Sequence, residues 1–273
     1  MNETTGRLKA SDDLELFTRT WTPEGDPTRG MLIVHGMGEH SGRYGHVARF
    51  FVDRGYAVST FDLRGHGQSG GSRVHIRSFD EYLDDLQCVI ESGLVRTDLP
   101  WVIYGHSLGG FISAYYLGDD RPHPDAAILS APPVAPEVPG ATRVAVLALG
   151  RIAPRVALPN PFDGDQLSRD PAVGEAYFAD PLVCTKTTAG MALQTFFQAQ
   201  ERSMDVIKSI TTPTLVIHGA DDTLNVPSAS APLASVESVE RKVYPGLRHE
   251  MHNEPEQIQV LSDVSAWLDS ALA

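Results

Sequence analysis

Trp101-Val102-Ile103-Tyr104-Gly105-His106-Ser107-Leu108-Gly109 runs from an apolar stretch into Gly-x-Ser-x-Gly, and a small, apolar helical pattern follows from Gly109 to Leu117. The order is strand, sharp turn, helix, with a serine at the apex. Such an apex forces strained backbone geometry, and a Cβ on either flanking glycine would collide with the facing strand or helix. The turn therefore holds the Ser107 hydroxyl out at the carboxyl edge of a sheet, which suits a nucleophile. The plainer alternative is a serine in an ordinary tight turn; the strand and helix patterns on either side argue against it.

Further apolar runs read as strands: Met31-Leu32-Ile33-Val34, Ala57-Val58-Ser59-Thr60-Phe61, Ala126-Ala127-Ile128-Leu129, Thr214-Leu215-Val216-Ile217 and Arg241-Lys242-Val243-Tyr244. Continuous apolar character, rather than alternation, is what parallel strands covered on both faces require. Between them, Phe79, Tyr82, Leu83, Leu86, Val89 and Ile90 recur at helical spacing, with Ser78 and Glu81 placed as a capping box. Residues 258–272 read as another amphipathic helix. This alternation predicts an α/β fold, a mostly parallel sheet with helices on both faces. From Pro132 to about Ser209 the rhythm breaks. No strand pattern appears, Pro132, Pro133, Pro136 and Pro139 open the stretch, and Pro154, Pro159, Pro161, Pro171 and Pro181 punctuate it. It reads as a helical insertion over the sheet edge, with a core of 1–135 and 206–273 and a cap of 136–205.

The chain has 273 residues, 42% of them hydrophobic, enough for a sizeable core. Its 22 basic and 35 acidic residues give a formal net charge of −13, which disfavours nucleic acid and anionic membranes as partners. The polar stretch 1–10 lacks a signal-peptide core, and the most apolar segment, 144–149, is far too short to span a bilayer. Cys88 and Cys184 cannot build a disulfide framework and read as small buried hydrophobes of a cytoplasmic protein.

A serine hydroxyl needs a base within reach and a third group to orient that base. On a parallel sheet these should follow later strands. Asp221 and Asp222 come just after Ile217; His249 comes just after Tyr244. The chain order is Ser, Asp, His, as expected on such a sheet. Ser107 is assigned as nucleophile, His249 as general base and then acid, and Asp222 as the orienting carboxylate. Asp222 is preferred to Asp221 because it lies three residues past the strand-end Gly219; the other aspartate is read as a loop cap. Two backbone N–H groups should receive the developing oxyanion: Leu108, after the nucleophile, and Met37, between Gly36 and Gly38. His35, His66 and His106 read as loop braces. His249-Glu250-Met251-His252 is one residue short of the His-Glu-x-x-His zinc pattern, and no Gly-x-Gly-x-x-Gly or Walker loop appears. Neither metal nor cofactor is expected.

The loop His35-Gly36-Met37-Gly38-Glu39-His40-Ser41-Gly42-Arg43-Tyr44, the loop Asp62-Leu63-Arg64-Gly65-His66-Gly67-Gln68-Ser69, and the segments Leu167-Ser168-Arg169-Asp170 and Ala176-Tyr177-Phe178-Ala179-Asp180-Pro181-Leu182 resemble the monoacylglycerol lipase family of α/β-hydrolases over nearly the whole chain. The resemblance implies the α/β-hydrolase fold and cleavage of monoacylglycerol to fatty acid and glycerol. It implies the same triad and oxyanion amides, and contacts from Glu39, Arg43, Tyr177 and His252 to the glycerol headgroup. For the cap it implies an acyl tunnel and transient apolar contact with membrane or lipid droplets. The expected partner is a small lipid ester; oligomeric state stays open. Rival readings on the same machinery are a broader carboxylesterase or lysophospholipase, an acyltransferase, and a ligand-binding receptor with a silent triad.

Overall fold

The structure, a computed structural model, describes residues 1–136, 140–159 and 162–273. In chain order the core elements are β1 (Asn2–Lys9), β2 (Glu15–Thr22), β3 (Arg29–Val34), α1 (Gly45–Val52), β4 (Tyr56–Phe61), α2 (Asp80–Glu91), β5 (Trp101–His106), α3 (Leu108–Leu117) and β6 (Ala126–Ser130). Between β6 and β9 come α4 (Gly140–Ile152), β7 (Ala157–Pro159), α5 (Pro171–Ala179), β8 (Lys186–Thr188), α6 (Ala189–Leu193) and α7 (Gln200–Ile207). β9 (Thr214–Gly219), β10 (Val239–Tyr244) and α8 (Gln257–Ala271) complete the chain.

Eight strands form one sheet in the order β1-β2-β4-β3-β5-β6-β9-β10. From β4 to β10 all pairs are parallel; β1–β2 and β2–β4 are antiparallel. Side chains alternate between faces. Leu32, Val34, Ile103, Ala127 and Leu129 pack with Leu83 and Leu86 of α2 and Phe111 and Ile112 of α3. Met31, Ile33, Val102, Tyr104, Ile128 and Ile217 pack with Val47 and Phe51 of α1 and Val260, Val264 and Leu268 of α8. Both faces are thus covered, which is why these strands are apolar at nearly every position. The predicted mostly parallel α/β sheet is present.

The polar amino terminus forms a strand: β1 pairs along its whole length with β2 as a largely exposed edge. Three local expectations are corrected. The insertion contains strand after all, since β7 and β8 pair antiparallel through Leu158 and Thr187. Cys88 and Cys184 are free thiols, only partly buried. At the start of α2, Glu81 Oε2 accepts from the Arg77 N–H at 2.9 Å rather than from Ser78, whose hydroxyl accepts from Asp80 N–H at 3.2 Å. Pro139 and Pro161 lie outside the described residues.

The segment between β6 and β9 touches loops at the carboxyl ends of the strands. The Cys184 N–H donates to Gly38 O at 2.7 Å, the Glu250 N–H to Leu167 O at 2.8 Å, and His40 Nε2 meets Asp180 Oδ2 at 2.8 Å. Among the described residues, no helix is long and apolar enough to cross a membrane.

Candidate active site

Ser107 sits between β5 and α3 with φ 51° and ψ −117°, a conformation strained for any side chain. Its glycine neighbours are sterically required. A Cβ on Gly105 would lie 2.5 Å from both the Gly109 carbonyl oxygen and the Ser113 hydroxyl; one on Gly109 would run into the carbonyl oxygens of Val34 and His35. The Ser107 N–H donates to Ser130 O at 2.8 Å and its carbonyl accepts from Phe111 N–H at 3.0 Å, so the turn is tied to β6 and to the first turn of α3. Leu108, the first residue of that helix, has an amide with no partner inside the helix, at the positive end of its dipole.

After β9 and β10 the chain brings Asp222 and His249 together. His249 Nδ1 and Asp222 Oδ2 are 2.7 Å apart, both residues nearly fully buried. Asp221, by contrast, is exposed. The second Asp222 oxygen accepts from the Leu224 and Asn225 N–H groups at 2.9 Å each, which fixes the carboxylate. Burial alone would raise the Asp222 pKa. The His249 ring and the hydrogen bonds from His218, His249 and Asn225 outweigh burial and hold it well below the carboxylate range. Burial would likewise lower His249, and the Asp222 carboxylate overrides it, so this imidazole has a raised pKa. With Nδ1 committed to Asp222, Nε2 is the ring's remaining nitrogen.

Ser107 and His249 share the wall of one cavity of about 170 Å³. Met37, Phe162, Leu167, Phe196 and Leu224 give it apolar sides; Glu39, Tyr177 and Asn225 add polar groups. Met37 lies between Gly36 and Gly38. A Cβ on Gly36 would come 3.2 Å from Ser107 Cβ. Gly38 has φ +79°, and its Cβ would lie 2.5 Å from the Cys184 carbonyl oxygen. Backbone at Gly36 therefore lies close against Ser107.

The other residues implied by resemblance divide. Glu39 and Tyr177 reach the cavity wall. Arg43 lies behind them, its guanidinium 2.6 Å from Glu39 Oε2 and from Glu250 Oε1 and 4.8 Å from the Tyr177 ring centroid. His252 does not reach the cavity wall. It is fully buried, stacked 5.1 Å from Tyr44 and edge-on 4.8 Å from His106. His252, expected at the headgroup, thus packs behind the cavity wall in this structure, and both of its ring nitrogens are without a hydrogen-bond partner among the described residues.

Two residues to which the sequence alone gave no role also belong here. His218 places Nε2 3.2 Å from Asp222 Oδ2 while donating to Asn225 O at 2.6 Å. Glu250 lines the cavity and holds Arg43 through both carboxylate oxygens, at 2.6 and 2.7 Å. Their one sequence signal is position: each ends or follows a strand whose loop carries a triad candidate. His35, His66 and His106 each meet a nearby carbonyl or hydroxyl (Gly36 O, Arg64 O and Ser130 Oγ) at 2.7–3.2 Å.

The sheet order, the left-handed serine after β5 and the acid and imidazole after β9 and β10 define an α/β-hydrolase. The family model described as serine aminopeptidase, S33 matches residues 25–256. A monoacylglycerol lipase of Mycolicibacterium smegmatis is 41% identical over 262 residues, 92% of this chain and 92% of that protein. The monoglyceride lipase of Homo sapiens is 31% identical over 278 residues, 97% of this chain and 90% of its own length. The crystal structure of Paleococcus ferrophilus monoacylglycerol lipase matches with a TM-score of 0.82 at 29% identity, covering 94% of this chain and 99% of that one. The chain belongs to the monoacylglycerol lipase family of α/β-hydrolases.

Proposed function

We propose that this protein is a carboxylic ester hydrolase that cleaves monoacylglycerols to fatty acid and glycerol through an acyl-enzyme on Ser107. The observation that carries the reading is the 2.7 Å His249–Asp222 contact beside a serine held in left-handed backbone on the same cavity wall. His249 Nε2 takes the Ser107 proton as the oxygen attacks the ester carbonyl. The Met37 and Leu108 N–H groups receive the oxyanion. Collapse breaks the ester C–O bond, and the glycerol oxygen leaves with the proton from His249. Water then repeats the sequence and frees the acid. Names of the relatives, monoacylglycerol and monoglyceride lipases, favour this substrate class.

Residues 136–205 act in this reading as a cap. Leu167, Phe162 and Phe196 supply apolar wall for an acyl chain, and Glu39 and Tyr177 face the glycerol hydroxyls. The outer side of α4 bares Val144 and Ile152, 69% and 84% exposed, for transient contact with a lipid surface. The protein works in the cytoplasm, a compartment that suits its free thiols.

The test is Ser107→Ala. It should fold normally and lose turnover of monoacylglycerol by about 10⁴-fold or more; persistent hydrolysis by the purified variant would overturn the mechanism. Wild-type protein that resists labelling by a fluorophosphonate would favour the receptor reading instead.

A further inference from the structure

We propose that Glu39, Arg43 and Glu250 form one positioning unit that holds the Met37 amide and the His249 imidazole in register, whatever alcohol the ester carries. This rests on the triad reading above, gives Arg43 and Glu250 a role other than headgroup recognition, and adds a bracing role to Glu39.

The problem the unit solves is geometric. The loop after β3 carries Met37, and the loop after β10 carries His249. These strands are four places apart in the sheet order, a gap of about 19 Å at ordinary strand spacing. No shared ladder fixes one loop against the other. The described side chains do. Glu39 Oε1 accepts from the Gly36 N–H at 2.6 Å, so this carboxylate grips the peptide next to the Met37 amide. The same oxygen accepts from the Tyr44 hydroxyl at 2.7 Å. Glu39 Oε2 accepts from Arg43 at 2.6 Å. Arg43 passes on to Glu250, the residue immediately after His249, by two parallel hydrogen bonds of 2.6 and 2.7 Å. Asn253 Nδ2 donates to Glu250 Oε2 at 2.7 Å, closing the far end.

The linkage is stiff for identifiable reasons. A fork of guanidinium on carboxylate fixes angle as well as distance. Both glutamates are 2% exposed, so neither charge is diluted by water. Burial on its own would raise both carboxyls; the Arg43 guanidinium outweighs it and keeps both ionised, below the ordinary carboxylate range. Three of the four lone-pair sites on Glu39 are taken by Gly36, Tyr44 and Arg43. Most of this residue's bonding capacity goes into the protein, leaving one site toward the cavity. Arg43, covered by the Tyr177 ring, holds the two carboxylates without reaching the cavity wall. Removing it leaves two buried carboxylates facing one another, and the loops lose their common anchor.

The experiment uses two esters of the same fatty acid: a monoacylglycerol, and a p-nitrophenyl ester with no glycerol hydroxyl. Wild type, Arg43→Lys, Arg43→Met and Glu250→Gln are compared by kcat and KM on both, with thermal melts as a check on folding. The expected result is a fall in kcat of about 10- to 100-fold, equal on the two esters, with KM changed little. Arg43→Lys keeps the charge but not the fork, and should recover only part of the loss. A loss confined to the monoacylglycerol and carried by KM would show that these residues read the headgroup, and would overturn the proposal. Wild-type kcat in folded Glu250→Gln would overturn it too. Should Arg43→Met fail to fold, Arg43→Lys and Glu250→Gln still decide. Ser107→Ala run alongside separates the two levels: turnover persisting there sinks the triad reading, whereas a dead Ser107→Ala with fully active brace variants sinks only this one.

Discussion

In the proposed mechanism, the pH dependence of turnover is decided at His249. Only the neutral ring can accept the serine proton, and Asp222 lifts the ring's pKa against the opposing effect of burial. The acid limb of kcat/KM should therefore fall above the reference histidine value of about 6.5. Asp222→Asn removes the charge that raises it. The limb should move to lower pH, and kcat should drop by about 10⁴-fold as the ring loses its tautomer and orientation. Asp221→Asn, on an exposed neighbour, should leave both within about twofold. Profiles from pH 5 to 9 on the three proteins check this; an unmoved limb in Asp222→Asn would reassign the carboxylate. Ser107 was readable from sequence because its constraint is local: both glycines and both flanking elements lie within a dozen residues. The preference for Asp222 needed the strand-end offset from Gly219; in the structure Asp222 lies 2.7 Å from His249 Nδ1. His218 and Glu250 were not readable. Their partners, Asp222 and Arg43, are chosen by how strand ends meet, which no window of sequence contains.

At the scale of elements, α3 and the end of β3 meet too closely for any side chain at the elbow's second glycine. Gly109→Ala would drive a methyl group into the Val34 and His35 carbonyl oxygens of β3 and its loop, backbone that cannot rotate away. Denaturant unfolding should show a loss of about 1–3 kcal/mol or more, with turnover reduced as Leu108 shifts. Retention of full stability would mean that the β3 loop is softer than its packing implies. Helix α4 makes the opposite case, an element stable on one face and open on the other. Val146 packs with Ala192, Leu193 and Phe197, while Val144, Leu149 and Ile152 stay exposed. Ile152→Glu should leave hydrolysis of a soluble short-chain ester unchanged and lower the rate on vesicle-borne monoacylglycerol. Equal rates on both substrates would remove α4 from any role at the interface. The sequence announced the central strands because burial on both faces makes them continuous apolar runs. It hid β1, whose exposed residues Asn2 to Arg7 carry no such mark, and β7 and β8, which are three residues each, β8 burying the polar Thr187 and Thr188 rather than an apolar run.

For the molecule as a whole, two ionic effects pull stability in opposite directions as pH falls, and their sizes can be compared. Net charge is −13 at neutral pH and vanishes near pH 5.1, so self-repulsion eases on acidification. Buried histidines act the other way. Burial pushes His66 and His106 down to about 3, and His35 and His252 are lowered by burial too. In the unfolded chain each titrates near 6.5. Between those values the unfolded state binds protons that the folded state refuses, so stability falls as pH drops below about 6.5. His249 has the reverse sign: its contribution is present below about 6.5 and lost as pH rises through its raised folded value. One ring is raised, and Asp85, pushed up to about 6 by burial, works in the same direction, against these four lowered. Each lowered ring costs about 1.4 kcal/mol per pH unit once below 6.5, so His66 and His106 alone cost about 3 kcal/mol per unit. That is a large part of a typical total stability of about 5–15 kcal/mol, whereas surface repulsion is spread out and screened by salt. Melting temperature should therefore fall steadily from pH 6.5 to 4.5, straight through the isoelectric point. Calorimetric scans at half-unit steps in 0.15 M salt would show it, and a maximum near pH 5 would mean that surface charge, not the buried imidazoles, governs the stability of this fold.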